Sequence, residues 1–186
     1  MSRAPWMGRA AVPALPSGPM VELQLTRTPG DRRLYALEGV GTLCLNGWSS
    51  RSGTAEAGTC SWQINRRGFL HPVIQAADAA GAVVGEFEKR TLRRGGTLRW
   101  SDREFTLQPD SIWRERYALA EGDRQLATIE GKNWGKRPVN ITLHGDARTI
   151  DPGLLLFAAF VVRALAEDAS SASAGGAGAG VIASSG

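Results

Sequence analysis

The sequence predicts a mainly β domain, a closed or nearly closed antiparallel barrel of about a dozen strands around one hydrophobic C-terminal helix. Three observations carry this expectation. Short segments alternating apolar and polar residues recur between turn signals about eight to twelve residues apart, the spacing of a sandwich or barrel. After Asp151-Pro152 the alternation stops and a run apolar on every face begins. Residues 1–19 and 169–186 show no apolar periodicity, so the folded domain is expected over 20–168.

Val21, Leu23 and Leu25 alternate with Glu22, Gln24 and Thr26, and Val139, Ile141 and Leu143 alternate with Asn140, Thr142 and His144. A period of two puts one set on the core face and the other toward solvent. Fainter strands are expected near 33–38, 43–47, 61–65, 73–77, 82–88, 97–100, 103–108, 112–119 and 125–130. Between them, Pro29-Gly30-Asp31, Gly95-Gly96, Glu121-Gly122-Asp123 and Gly145-Asp146 supply fixed φ, positive φ or local side-chain hydrogen bonds. Asn46-Gly47 is the dipeptide of a type I′ hairpin turn, and Ser49, Ser50 and Ser52 beside it read as loop chemistry.

Asp151 is placed to cap a helix with Pro152 at its first position. The helix is expected over about 152–166, where Leu154 to Val162 is wholly apolar and Arg163 is the one charge. Its length is roughly 20 Å against about 30 Å for a bilayer's hydrocarbon, which favours a buried core helix over a membrane span. Glu167-Asp168 opposes the helix dipole, so burial must supply the stability. A helix apolar all round must be surrounded all round; a closed barrel achieves this and removes the sheet edges, and a sandwich capped by the helix is the alternative. Arg163, near the helix end, is expected to reach the barrel mouth with its charged head, or else to be a buried functional charge.

Composition excludes several classes. The 186 residues carry a formal charge of +4 from nineteen arginines and three lysines against 18 acids, which permits an anionic partner without requiring one. Cys44 and Cys60 are too few for a disulfide framework, and no CxxC or Cys/His cluster is present, so two buried reduced thiols are expected, with a pair across neighbouring strands as the alternative, and neither metal nor cofactor. Residues 1–19 carry Arg3 and Arg9 but are broken by Pro5, Pro13, Pro16 and Pro19, which reads as a disordered leader and not a signal peptide. Residues 169–186, rich in Gly, Ala and Ser, read as a flexible tail. A cytoplasmic location follows as the default. No GxSxG or paired-carboxylate spacing appears, and neither His71 nor His144 has an evident partner, so a non-enzymatic role is expected. The six tryptophans read mainly as strand and core residues, with a ligand cage as the alternative.

Trp62-Gln63-Ile64, the stretch Asp78–Phe87, the hairpin Leu98–Leu107 and the helix Leu154–Leu165 together resemble the tubby-like superfamily: the tubby C-terminal domain, the phospholipid scramblases and the LURP-one-related proteins. The likeness, one of strand rhythm and helix placement, spans about 20–167. It implies a barrel of about a dozen strands around a hydrophobic helix. The acidic calcium loop and the palmitoylated cysteine cluster of the scramblases have no counterpart here, so no family residue role carries over.

Two basic stretches are the candidate sites. The first holds Lys89, Arg90, Arg93, Arg94, Arg99 and Arg103, opposed only by Asp102. The second is Gly131 to Pro138, with Lys132, Lys136 and Arg137 around Trp134 on a glycine-bearing loop. Guanidinium forks and a glycine-rich backbone suit phosphate groups, and Trp134 suits a bilayer interface or a base; the spacing is not that of a P-loop. The bland alternatives are a solvated hairpin guarded by charge and a turn with its tryptophan tucked under the rim. The expected function is a non-enzymatic binding or scaffold domain meeting anionic lipid headgroups through Arg93, Arg94, Lys132, Trp134, Lys136 and Arg137, peripheral at the membrane. The alternatives are a membrane anchor formed by the helix, or an enzyme without a recognisable motif. No nucleic-acid motif is present.

Overall fold

A computed structural model describes residues 20–47, 50–68, 72–90, 95–111, 115–131, 134, 137–145 and 150–175. The strands are β1 (Met20–Arg27), β2 (Leu34–Leu37), β3 (Gly41–Leu45), β4 (Ser52–Ala57), β5 (Cys60–Arg67), β6 (Val73–Ala77), β7 (Val83–Lys89), β8 (Gly96–Trp100), β9 (Arg103–Ser111), β10 (Arg116–Glu121), β11 (Arg124–Glu130) and β12 (Val139–His144). A single helix, α1 (Pro152–Gly175), follows. Each strand pairs antiparallel with its neighbour in sequence, and β1 pairs with β12, so the sheet closes into a barrel. The predicted alternation sets the register: Leu23 faces Ile141 and Leu25 faces Val139, all buried toward the axis.

Twelve strands about 4.8 Å apart, tilted about 40°, make a ring roughly 24 Å across, which leaves room for one helix about 10 Å wide. α1 occupies that room. Leu155 through Val162 are each 0 % exposed, because strands surround every face. Among the described residues no helix is long and apolar enough to cross a membrane. Asp151 caps the helix as predicted, its Oδ1 accepting from the N–H of Gly153 (2.7 Å) and Leu154 (3.2 Å).

The fit is close in two places. A Cβ on Gly153 would lie 2.6–2.7 Å from ring carbons of Trp100 and Trp62, so only glycine lets the helix start beneath that tryptophan pair. A Cβ on Gly53 would meet the carbonyl of Cys44 at 2.7 Å and the Phe160 ring at 3.1 Å.

Several expectations need correction. β4 was expected to be loop; it is a full strand whose inner positions are Gly53, Ala55 and Ala57, small because Phe160 presses against that wall. Asn46-Gly47 does not make a two-residue hairpin turn: six residues join β3 to β4, and Gly47 is not among the glycines with positive φ. The two-residue turn with both residues at positive φ is Ser101-Asp102, at φ 46° and 66°, between β8 and β9. Gly95-Gly96 is not a turn tip: Gly96 opens β8, and both are buried, Gly95 against the Leu107 carbonyl and Gly96 against Phe87. α1 runs to Gly175, past 166, with Ser170 and Ser171 hydroxyls donating to the carbonyls of Ala166 and Glu167. Cys44 and Cys60 are free thiols but not buried ones: Cys44 is half-buried and Cys60, at the start of β5, is exposed. The leader 1–19 and the tail beyond 175 lie outside the described residues.

Candidate functional site

An up-and-down barrel sends its connections alternately to two ends. The links β1–β2, β3–β4, β5–β6, β7–β8, β9–β10 and β11–β12 belong to the end where α1 emerges, here the upper end. The other links, and the start of α1, belong to the lower end. This alternation sorts the charges.

At the upper mouth Arg163 is the centre of a network. Its side chain is 13 % exposed; its Nε–H donates to Ser50 Oγ at 3.0 Å, and Glu167 Oε1 forms an ion pair 3.0 Å from the same nitrogen. Nη1 donates to the Tyr35 hydroxyl at 3.3 Å. The guanidinium sits 5.2 Å from the Trp134 ring centroid and 5.7 Å from that of Tyr35, while the two rings meet edge-on at 5.3 Å. Trp134 is held further by its indole N–H donating to the Glu130 carbonyl (3.3 Å). Glu167 Oε2 accepts from the Ser50 backbone N–H (2.7 Å). Asp168 takes both forks of Arg66 at 2.9 Å, with Lys89 Nζ 3.6 Å away. Because α1 runs on to Gly175, these two carboxylates stand about two turns before its end rather than opposing the dipole in its last turn, and three cations and a backbone donor offset them.

Outside this ring of pairs lie the cations with nothing to pair with. Arg27, Arg32 and Arg33 come from β1 and the loop after it, Arg51 from the β3–β4 loop, Arg67 from β5, Arg90 from the end of β7 and Arg137 from the approach to β12. All are exposed, and none has an ion pair or side-chain hydrogen bond among the described residues. At this end Asp31, Glu88, Asp110 and Glu115 are also without an ion pair among the described residues, Asp31 in the same link as Arg32 and Arg33 and the last two at the β9–β10 link. The unpaired arginines among the described residues therefore come from five of the six upper connections.

The predicted stretches are redistributed. Trp134 and Arg137 are at the upper end, bridged to each other, with Trp134 turned inward on Arg163. Arg93, Arg94, Lys132 and Lys136 lie outside the described residues, as does His71. Arg99 and Arg103 do not extend the Lys89–Arg90 patch. β8 carries the chain to the lower end, where Arg99 pairs with Glu86 and Glu104, and Arg103 with Glu121 at 2.6 Å. The hydrogen bond from Arg103 holds the Glu121 carboxyl below its ordinary 4.5, opposed by desolvation and helped further by the hydrogen bond from Arg124.

The sequence reading left out Arg27, Arg32, Arg33, Arg51 and Arg67. They are scattered in the chain, and only the strand alternation assembles them. His144 has no triad partner among the described residues but is hydrogen-bonded: Thr128 Oγ1 lies 2.9 Å from its Nε2, and Gln125 donates to Thr128 (2.9 Å). No carboxylate touches the imidazole, so this is a hydrogen-bonded trio on the outer wall. Among the described residues no group of three or more His, Cys, Asp or Glu side chains could hold a metal ion. Compared with known proteins, the chain matches no family model, no curated protein and no solved structure.

Proposed function

We propose that the chain is a non-enzymatic binding or scaffold domain, similar to tubby-like proteins, that rests peripherally on anionic membrane headgroups with its upper end. One observation carries the reading: among the described residues, exposed arginines without ion-pair partners gather at one end of the barrel, while those of the opposite end are paired. Unpaired surface guanidinium groups add little to stability, but their planar forks match phosphate oxygens, and each is worth about 1 kcal/mol near an anionic leaflet. The apolar surface of α1 is spent inside the barrel, so membrane contact falls to charge and not to an anchor.

Vesicle co-sedimentation tests this. The full chain should be retained on anionic and not on neutral vesicles at low salt, and released toward about 1 M salt, where the Debye length shrinks to about 3 Å. Replacing Arg33, Arg51, Arg67, Arg90 and Arg137 together by neutral residues should abolish retention with the melting temperature kept. Wild-type protein that ignores anionic vesicles at low salt overturns the reading.

A further inference from the structure

We infer that the upper end senses the charge density of a bilayer rather than the identity of a headgroup, an inference that rests on the membrane reading above. The first reason is spacing. Five of the six upper links supply the unpaired arginines, and six links around a strand ring of roughly 75 Å perimeter stand on the order of 12 Å apart. That exceeds the Debye length of about 8 Å at physiological salt and the reach of a bidentate contact. One headgroup therefore meets the cations of one connection, two at most.

The second reason is the filled centre. A headgroup-specific pocket needs free cations converging on one point. The cations nearest the axis, Arg163, Arg66 and Lys89, already converge on Glu167 and Asp168 of the helix. α1 then leaves the barrel through the middle of the ring, and residues 169–175 carry no charge of either sign. Among the described residues, what remains for a partner is a ring of separate charges around a plugged centre.

Such a ring matches a two-dimensional field of phosphates better than a linear one, since a nucleic-acid strand crossing a circle meets few of its points. The carboxylates of the lower end sit a strand length away, roughly 20 Å or more, beyond two Debye lengths. They turn the upper end toward the membrane without opposing its binding.

The experiment compares vesicles carrying phosphatidylserine with vesicles carrying a polyphosphorylated inositol lipid, matched for surface potential. Partitioning should agree within about twofold, and soluble inositol phosphate should not compete. Arg33→Gln, Arg67→Gln and Arg90→Gln should each weaken binding by a similar factor, about fivefold at low salt, because each removes one cation of equal worth. A preference above about tenfold for one lipid at matched potential, or a single arginine carrying most of the binding, overturns the inference while leaving the membrane reading standing. Failure to bind any anionic vesicle overturns both, as does stronger retention on duplex DNA at the same salt. Melting curves confirm that each variant, altered at an exposed side chain, is folded.

Discussion

The two ends of this barrel use the same residue type for opposite purposes. At the lower end the described strand links are two to five residues long, and Arg103 and Arg124 are clamped on Glu121 while Arg99 lies between Glu86 and Glu104. There Trp62 and Trp100 meet edge-on against Gly153, where the helix begins. At the upper end the links are four to eight residues long, and Arg33, Arg51, Arg67 and Arg90 reach solvent without an ion pair among the described residues. An arginine is structural where a carboxylate stands across the strand. Where none does, its charge is left for something outside the molecule. Counting arginines along the chain cannot separate the two groups.

The comparison can be broken most directly at what the ends share. α1 is enclosed at both, so Phe157→Ala, beside Trp100 at the lower end, and Phe160→Ala, against Gly53, should each cost about 3–5 kcal/mol in denaturant unfolding. Ala159→Asp between them should yield no folded protein in solution, since a carboxylate there meets neither water nor a partner. If the two phenylalanine variants differ by more than about 2 kcal/mol, one end is looser than described.

A smaller effect is expected at the one buried charge of the upper mouth. Arg163→Ala removes the partner of Glu167, Ser50 and Tyr35 and should cost about 2–3 kcal/mol. Arg163→Lys should recover only part of that, since an ammonium lacks the flat face that lies over Trp134. By contrast Arg33→Gln, at the exposed rim of the same end, should change stability by under about 0.5 kcal/mol.

The turns of the lower end offer a gain. Ser101 and Asp102 occupy the left-handed region without being glycine, so replacing them by Asn-Gly should stabilise the protein by about 0.5–1 kcal/mol, read as a raised unfolding midpoint. Loss of stability would mean the turn is held by contacts beyond its backbone.

The smallest effect sharpens the contrast in charge. Because Arg103 holds the Glu121 carboxyl below its ordinary 4.5, its contribution is complete above pH 4.5 and fades as pH falls through the depressed value. Glu121→Gln should therefore flatten the acid limb of a stability–pH profile below that point, and Arg33→Gln should leave the limb unchanged. An unaltered limb in Glu121→Gln would show that the lower pairs do not couple to folding.

Reading the chain found the architecture because its two periodicities are physical. Val21 to Leu25 and Val139 to Leu143 announce strands, and the run from Leu154 to Val162 announces a helix needing walls on all sides. β4 escaped for the same reason that it fits. Gly53, Ala55 and Ala57 face inward where the helix comes closest, and small residues leave no hydrophobic signal. The hairpin turn was sought at Asn46-Gly47, where the dipeptide is favourable, and lies at Ser101-Asp102, where cross-strand pairing imposes it. Arg163 could be placed at the mouth from its position in the helix. Its partners could not, since Ser50 and Tyr35 stand 113 and 128 positions away and only closure of the barrel brings them to it.

That closure has a consequence for how the protein is made. The first strand seals the barrel against the twelfth, and the element that fills the interior follows the twelfth in the chain. During synthesis the strands emerge in order with apolar inner faces and nothing yet to cover them. The helix must be present before β1 and β12 zip together, or it is shut out. Most of the stabilising contacts are therefore formed last and between distant parts of the chain, the condition under which folding is slow and unfinished chains tend to associate. A ribosome stalled before Leu154 would carry twelve strands and no core.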